Sequence, residues 1–230
     1  MKAILCLLTG LSATPAFAQT RLNLPLKREL DSLLVQDQKY RAVIGPQPAH
    51  VTDSLATTLQ VPKDQVTNQL ITRMLLTDSS DSRRVSAIVR RYGYPGKSLV
   101  GTPTNEAVWY VIQHSNKIAA YLPLIKATAE RGELPYYLYA KMLDRQLMYE
   151  GREQLYGTQG RSYNILNKSS GQREMTIFIW PIKDANQVNE RRKKAGFPDT
   201  VEENAARLHI PYKAMTLEQA KKLELAAQGN

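Results

Sequence analysis

Apolar residues recur at three- and four-residue steps through most of this chain, a spacing that predicts helices. Leu26, Leu30, Leu33 and Ile44 mark the first, over residues 26–44, with Asp37 and Arg41 on the same stripe; Gly45-Pro46-Gln47-Pro48 stops it. Pro62 opens a second helix with Val66, Leu70, Ile71, Met74 and Leu75 on its apolar face, and the polar stretch Thr77 to Ser82 predicts a break. Val85, Ile88, Val89 and Tyr92 make a helix that Gly93 closes, before the turn Tyr94-Pro95-Gly96. Thr102-Pro103 starts another, with Ala107, Val108, Val111, Ile112 and Ile118 as its stripe. The next ends at Arg131-Gly132, with Pro123 as a kink or restart, and Pro135 opens one that runs through Tyr139, Leu143 and Leu147 to Gly151.

The period then changes. Tyr163-Asn164-Ile165-Leu166 and Met175 to Trp180 predict two strands around the turn-forming Asn167-Lys168-Ser169-Ser170-Gly171. Helical spacing returns over residues 184–195, with Gly196 as its stop, and Thr200…Glu203 and Thr216…Gln219 are capping-box spacings that start two final helices. The expected fold is mainly α, a single helical domain with one inserted β-hairpin near residues 160–182.

The first 18 residues read as an export leader. Lys2 is the basic end, Ala3 to Leu11 the short apolar core, and Ala16-Phe17-Ala18 the small-residue cleavage signal. Residues 19–230 are then the mature single domain, and the expected location is periplasmic or extracellular. The only cysteine, Cys6, lies in the leader, so the mature chain has neither a disulfide framework nor a thiol nucleophile. The net charge of +10 would ordinarily raise nucleic-acid binding, but export points instead to anionic envelope polymers, and no nucleic-acid partner is expected. The basic run Arg191-Arg192-Lys193-Lys194 reads as a solvated helix face. After the leader no apolar segment is long enough to serve as a transmembrane anchor.

Candidate chemistry lies where polar residues interrupt apolar stripes. Asp37 and Arg41 are one turn apart and spaced to pair. His114 follows Ala107 and Val111 at helical steps, and Asp144 sits among Ala140, Leu143, Leu147 and Met148 with Arg145 beside it. Gln154, Tyr156, Thr158 and Gln159 crowd the corner between helix and hairpin. Buried ionisable groups must be paired or neutral, so these residues are expected to meet one another.

The order of these motifs resembles a family of bacterial proteins described only as a domain of unknown function. The resemblance rests on Asp37-Gln38-x-x-Arg41, Tyr92-Gly93-Tyr94-Pro95, Gln113-His114, Asp144-Arg145, Gln154-x-Tyr156-Gly157-Thr158-Gln159 and Val188-x-x-Arg191-Arg192. It spans Leu26 to about Tyr212, with residues 46–80 reading as an insertion. It implies no activity, substrate or cofactor.

Two functions follow from the residues themselves. In a metal-independent envelope hydrolase, His114 is the general acid or base, oriented by Asp37 or Asp144, and Arg41 or Arg145 holds an anionic group. Tyr156 and Gln159 then donate to an oxyanion, while Gln38, Gln154 and Thr158 complete the ligand shell. Alternatively the chain is a non-catalytic module that binds an anionic envelope ligand, another small molecule or a protein partner. No zinc-ligand spacing, phosphate loop, dinucleotide fingerprint or serine-hydrolase elbow occurs, so neither a metal nor a cofactor is expected.

Overall fold

The computed structural model describes residues 21–167 and 169–229; the leader and its cleavage signal lie outside these. Its first helix, α1 (Leu24–Arg41), starts where Asn23 accepts a hydrogen bond from the Leu26 amide, and it buries Leu26, Leu30, Leu33 and Asp37 along one stripe. Next, α2 (Ala49–Leu59) packs Ala56 and Leu59 on Val66 and Leu70 of α3 (Val66–Tyr92). The sequence pattern gave no sign of α2.

The polar stretch from Thr77 to Ser82 does not break α3, which runs through it without interruption. That stretch contains neither Gly nor Pro, and its polar groups find local or tertiary partners. Thr77 donates back to the Arg73 carbonyl at 2.9 Å, Asp78 is gripped by Arg41 and Asp81 is buried. The apolar face expected of the second helix is also only partly realised. Val66 and Leu70 are covered by α2, whereas Ile71 and Leu75 are exposed.

Short α4 (Lys97–Val100) leads to a 3-10 turn and α5 (Ala107–Gln113), which is buried along nearly its whole length. The expected stripe from Ala107 to Ile118 belongs to two helices. Ser115 accepts from the Lys117 amide and donates to the Ile112 carbonyl, ending α5 before α6 (Ile118–Glu130) begins. Pro123 lies inside α6 without dividing it, on the exposed side beside Ala119, the residue whose carbonyl loses its helical donor. With α1, α3 and α7 (Tyr136–Tyr149), these helices enclose the largest core cluster, around Leu30, Val100, Val108, Ile125 and Met142.

The hairpin is antiparallel: β1 (Gly160–Leu166) pairs with β2 (Arg173–Ile179) from Gly160 opposite Ile179 to Leu166 opposite Arg173. In its turn, Asn167 accepts from the Ser169 amide, the use its side chain suits. Three helices follow, α8 (Val188–Lys194), α9 (Val201–Arg207) and α10 (Leu217–Gln228), the last two opened by complete capping boxes at Thr200 and Thr216. The protein is therefore mainly helical, with a single two-stranded hairpin among the described residues. Among the described residues no helix is long and apolar enough to cross a membrane.

Candidate functional site

The loop between α7 and β1 is held from both sides. Asp144, buried on α7, accepts hydrogen bonds from the backbone amides of Leu155 (2.8 Å), Tyr156 (3.1 Å) and Thr158 (3.0 Å), and from the Thr158 hydroxyl (3.0 Å). The carbonyls of the same loop are taken from the other side: Arg191 donates to Leu155, Arg192 to Tyr156 and Asn204 to Gly157. The basic run is thus not simply a solvated face. Arg192 is 1% exposed because its guanidinium supplies donors to carbonyls that burial would otherwise orphan, while Lys193 and Lys194 remain exposed. Burial pushes the Asp144 carboxyl up to about 6, against the hydrogen bonds that favour its ionised form.

Gln154 completes the loop by donating to the carbonyls of Gln159 (3.0 Å) and Trp180 (2.7 Å) and accepting from the Gln159 amide (2.9 Å). Gly157 adopts φ +69°, and an added Cβ would stand 2.5 Å from Val201 and 2.7 Å from Ile182, so glycine is required twice over. The Tyr156 ring packs on Phe197, and burial raises its phenol to about 12.

This fixed loop presents Gln159 to Arg145. Arg145 donates from Nε to the Gln159 side-chain oxygen (3.0 Å) and from Nη1 to the Gln113 carbonyl (2.9 Å), while the Gln159 amide nitrogen donates to Thr158 (2.9 Å). They border a cavity of about 440 Å³ whose wall also contains Lys141, Arg161 and Arg207. Among the described residues no carboxylate lines it. Lys141 and Arg145 are one turn apart on α7, Arg161 begins the hairpin and Arg207 ends α9. Burial, then the charge of Arg207, lowers the pKa of Lys141; burial likewise lowers that of Arg145.

A second polar group gathers around His114, the residue after the cleft-lining Gln113. His114, just past the end of α5, faces Asp37 with Nδ1 3.0 Å from Oδ1, and Asp37 is 1% exposed. Gln38 donates to Asp37 at 2.6 Å. Arg41 approaches the Asp37 carboxylate only to 3.9 Å; its close partner is Asp78, bound through both oxygens at 2.9 and 2.8 Å. Asp81 lies nearby with a buried oxygen that has no hydrogen-bond partner among the described residues, and its carboxyl is raised to about 6 by burial and by Asp37 and Asp78.

The expected residues therefore fall into three sets. Asp37, Gln38, Arg41 and His114 form one; Arg145, Thr158 and Gln159 border the cleft; Asp144, Gln154 and the backbone of Tyr156 shape the loop beneath it. Arg145 and its neighbour Asp144 do not pair, since each is engaged elsewhere. Sequence reasoning missed Lys141, Arg161, Arg207, Asp78 and Asp81. Only Lys141 carried a usable signal, its one-turn spacing from Arg145.

Fold and cleft together define a mainly helical protein with a cationic pocket at the base of its hairpin. The chain belongs to DUF6624, a family of unknown function, whose model matches residues 54–214. The match includes the cleft and His114 and leaves Asp37, Gln38 and Arg41 outside it. No curated protein and no solved structure matches the chain.

Proposed function

We propose that this protein binds an anionic ligand in the cleft between α7, the start of the hairpin and the end of α9. The observation that carries this reading is the lining: Lys141, Arg145, Arg161 and Arg207 converge on one cavity, with no carboxylate lining it among the described residues. Like charges brought together repel, and partial burial of Lys141 and Arg145 adds a desolvation cost. An anion relieves both. The decisive experiment is calorimetric titration with a panel of anions at constant ionic strength, on the wild type and on a Lys141→Ala, Arg207→Ala double variant. Saturable binding that the double variant loses supports the reading; binding that the variant retains overturns it.

A second reading, hydrolysis of the bound anion, is favoured by the His114–Asp37 pair. A carboxylate acceptor selects the tautomer with hydrogen on Nδ1, leaving Nε2 to take a proton from water. In this reading Asp144, Tyr156 and Gln159 act indirectly, by holding the loop and Arg145 in place. Loss of turnover in His114→Gln with anion binding preserved supports it; equal turnover in both proteins rejects it. The proposed setting is the cell envelope, after cleavage behind Ala18. Intact-mass measurement of the secreted protein tests this, and a mature chain retaining Cys6 refutes it.

A further inference from the structure

Building on the anion-binding reading, we infer that the ligand is a small hydroxyl-bearing phosphate ester, with its phosphoryl group among the four cations. The first reason is how these cations are held. Arg145 is positioned by the Gln159 amide and the Gln113 carbonyl, and Arg207 by the Asn204 side-chain oxygen. The Arg161 guanidinium lies 5.6 Å from the Tyr163 ring centroid and the Lys141 ammonium 5.2 Å from that of Tyr137. Every tether is neutral, and among the described residues none of the four forms a salt bridge. They are positioned without a salt-bridge partner, and the carboxylates of Asp199 and Glu106 act on Lys141 only at longer range.

Geometry and charge then choose among anions. The donors come from three walls: α7, the first strand of the hairpin and the end of α9. A carboxylate is planar and singly charged, so it reaches at most two walls and leaves most of the positive charge unanswered. A phosphoryl group carries three terminal oxygens in diverging directions and close to two negative charges near neutral pH, which suits three walls of donors.

The rest of the cleft describes the ligand's body. Gln113 is 6% exposed and borders the cavity, yet its side-chain oxygen has no hydrogen-bond partner among the described residues. A fully deprotonated phosphate cannot satisfy an acceptor; a hydroxyl on the same molecule can. Ile177, Leu208 and Ile210 form an apolar flank for the uncharged part. At about 440 Å³ the cavity has the size of a small-molecule site.

Calorimetric titration at fixed ionic strength with glucose 6-phosphate, inorganic phosphate, citrate, acetate and glucose tests the proposal. Glucose 6-phosphate is expected to bind at least about tenfold more tightly than acetate, citrate or glucose. Arg207→Ala should weaken it by about tenfold, whereas Lys193→Ala with Lys194→Ala, on the exposed end of α8, should leave it unchanged. Gln113→Leu should weaken glucose 6-phosphate while sparing inorganic phosphate, and thermal melts confirm that each variant is folded. Citrate or acetate matching the phosphate ester overturns the phosphoryl inference but leaves the anion-binding reading standing. If no anion binds at millimolar concentration, both fall. Binding to phosphatidylglycerol vesicles without binding to glucose 6-phosphate overturns the small-molecule assignment, because the phosphoryl group would then belong to a lipid surface.

Discussion

Removing the Asp144 carboxylate should unfold the corner on which the cleft is built. In Asp144→Ala the amides of Leu155, Tyr156 and Thr158 lose their acceptor at a position that is 0% exposed. An unsatisfied buried donor costs about 1–3 kcal/mol, so three put the loss at about 3 kcal/mol even at the lower bound. Water entering the vacated space would keep the loss near that bound. Against a total stability of about 5–15 kcal/mol this is a large fraction. Asp144→Asn keeps one oxygen for Leu155 and Tyr156 but turns an NH2 group toward the Thr158 donors; it also removes the buried charge that raises the Asp144 pKa, so its expected loss is smaller than that of Ala. Urea unfolding near neutral pH measures both. With a slope of about 1–3 kcal/mol/M, the Ala midpoint should fall by about 1 M or more. A midpoint within experimental error of the wild type, or an Asn variant weaker than Ala, would refute the assignment of Asp144 to the loop amides.

Three further outcomes are expected. The folded-state pKa of Asp81 is raised from 3.8 to about 6, so the folded chain holds a proton that the unfolded chain has released between those values. Its contribution is full below the unfolded value and lost as pH rises through the folded one; Asp81→Asn should therefore gain stability relative to wild type as pH rises, and parallel urea midpoints across that range would deny it. Gly157→Ala should lose about 2 kcal/mol or more in thermal or urea melts, because the residue combines φ +69° with a Cβ position 2.5 Å from Val201. Gln159→Ala removes an acceptor from Arg145 at the edge of the cleft, so it should cost only about 1 kcal/mol in stability while weakening anion binding; a large loss of stability with binding intact would place Gln159 in the fold rather than the site.

Much of the architecture was legible in one dimension. The stripe Leu26, Leu30, Leu33, Asp37 identified the buried face of α1, and the spacings Thr200–Glu203 and Thr216–Gln219 marked helix starts that the structure realises with both hydrogen bonds of each capping box. The hairpin was announced by a change of period and a turn rich in Asn, Ser and Gly. These features depend on neighbours within about one helical turn or one strand pair, which is the range over which sequence spacing reports geometry. The same locality explains the errors. Polar composition from Thr77 to Ser82 imitated a loop because the partners that make it helical, above all Arg41 for Asp78, lie on another helix.

The sequence by itself determined that the protein is helical, where its hairpin lies and that polar residues invade its apolar stripes. Only the tertiary structure decided what those residues meet. Asp144 and Arg145 are adjacent in the chain, yet one faces into the α7–β1 loop and the other into the cleft, because consecutive helical positions point about 100° apart. Lys141, Arg161 and Arg207 meet only because α7, the hairpin and α9 pack around one cavity. Charge has no period, and a charged side chain acquires its partner only when distant segments pack together; a cationic site drawn from three elements is therefore written in the fold and not in the spacing of its residues.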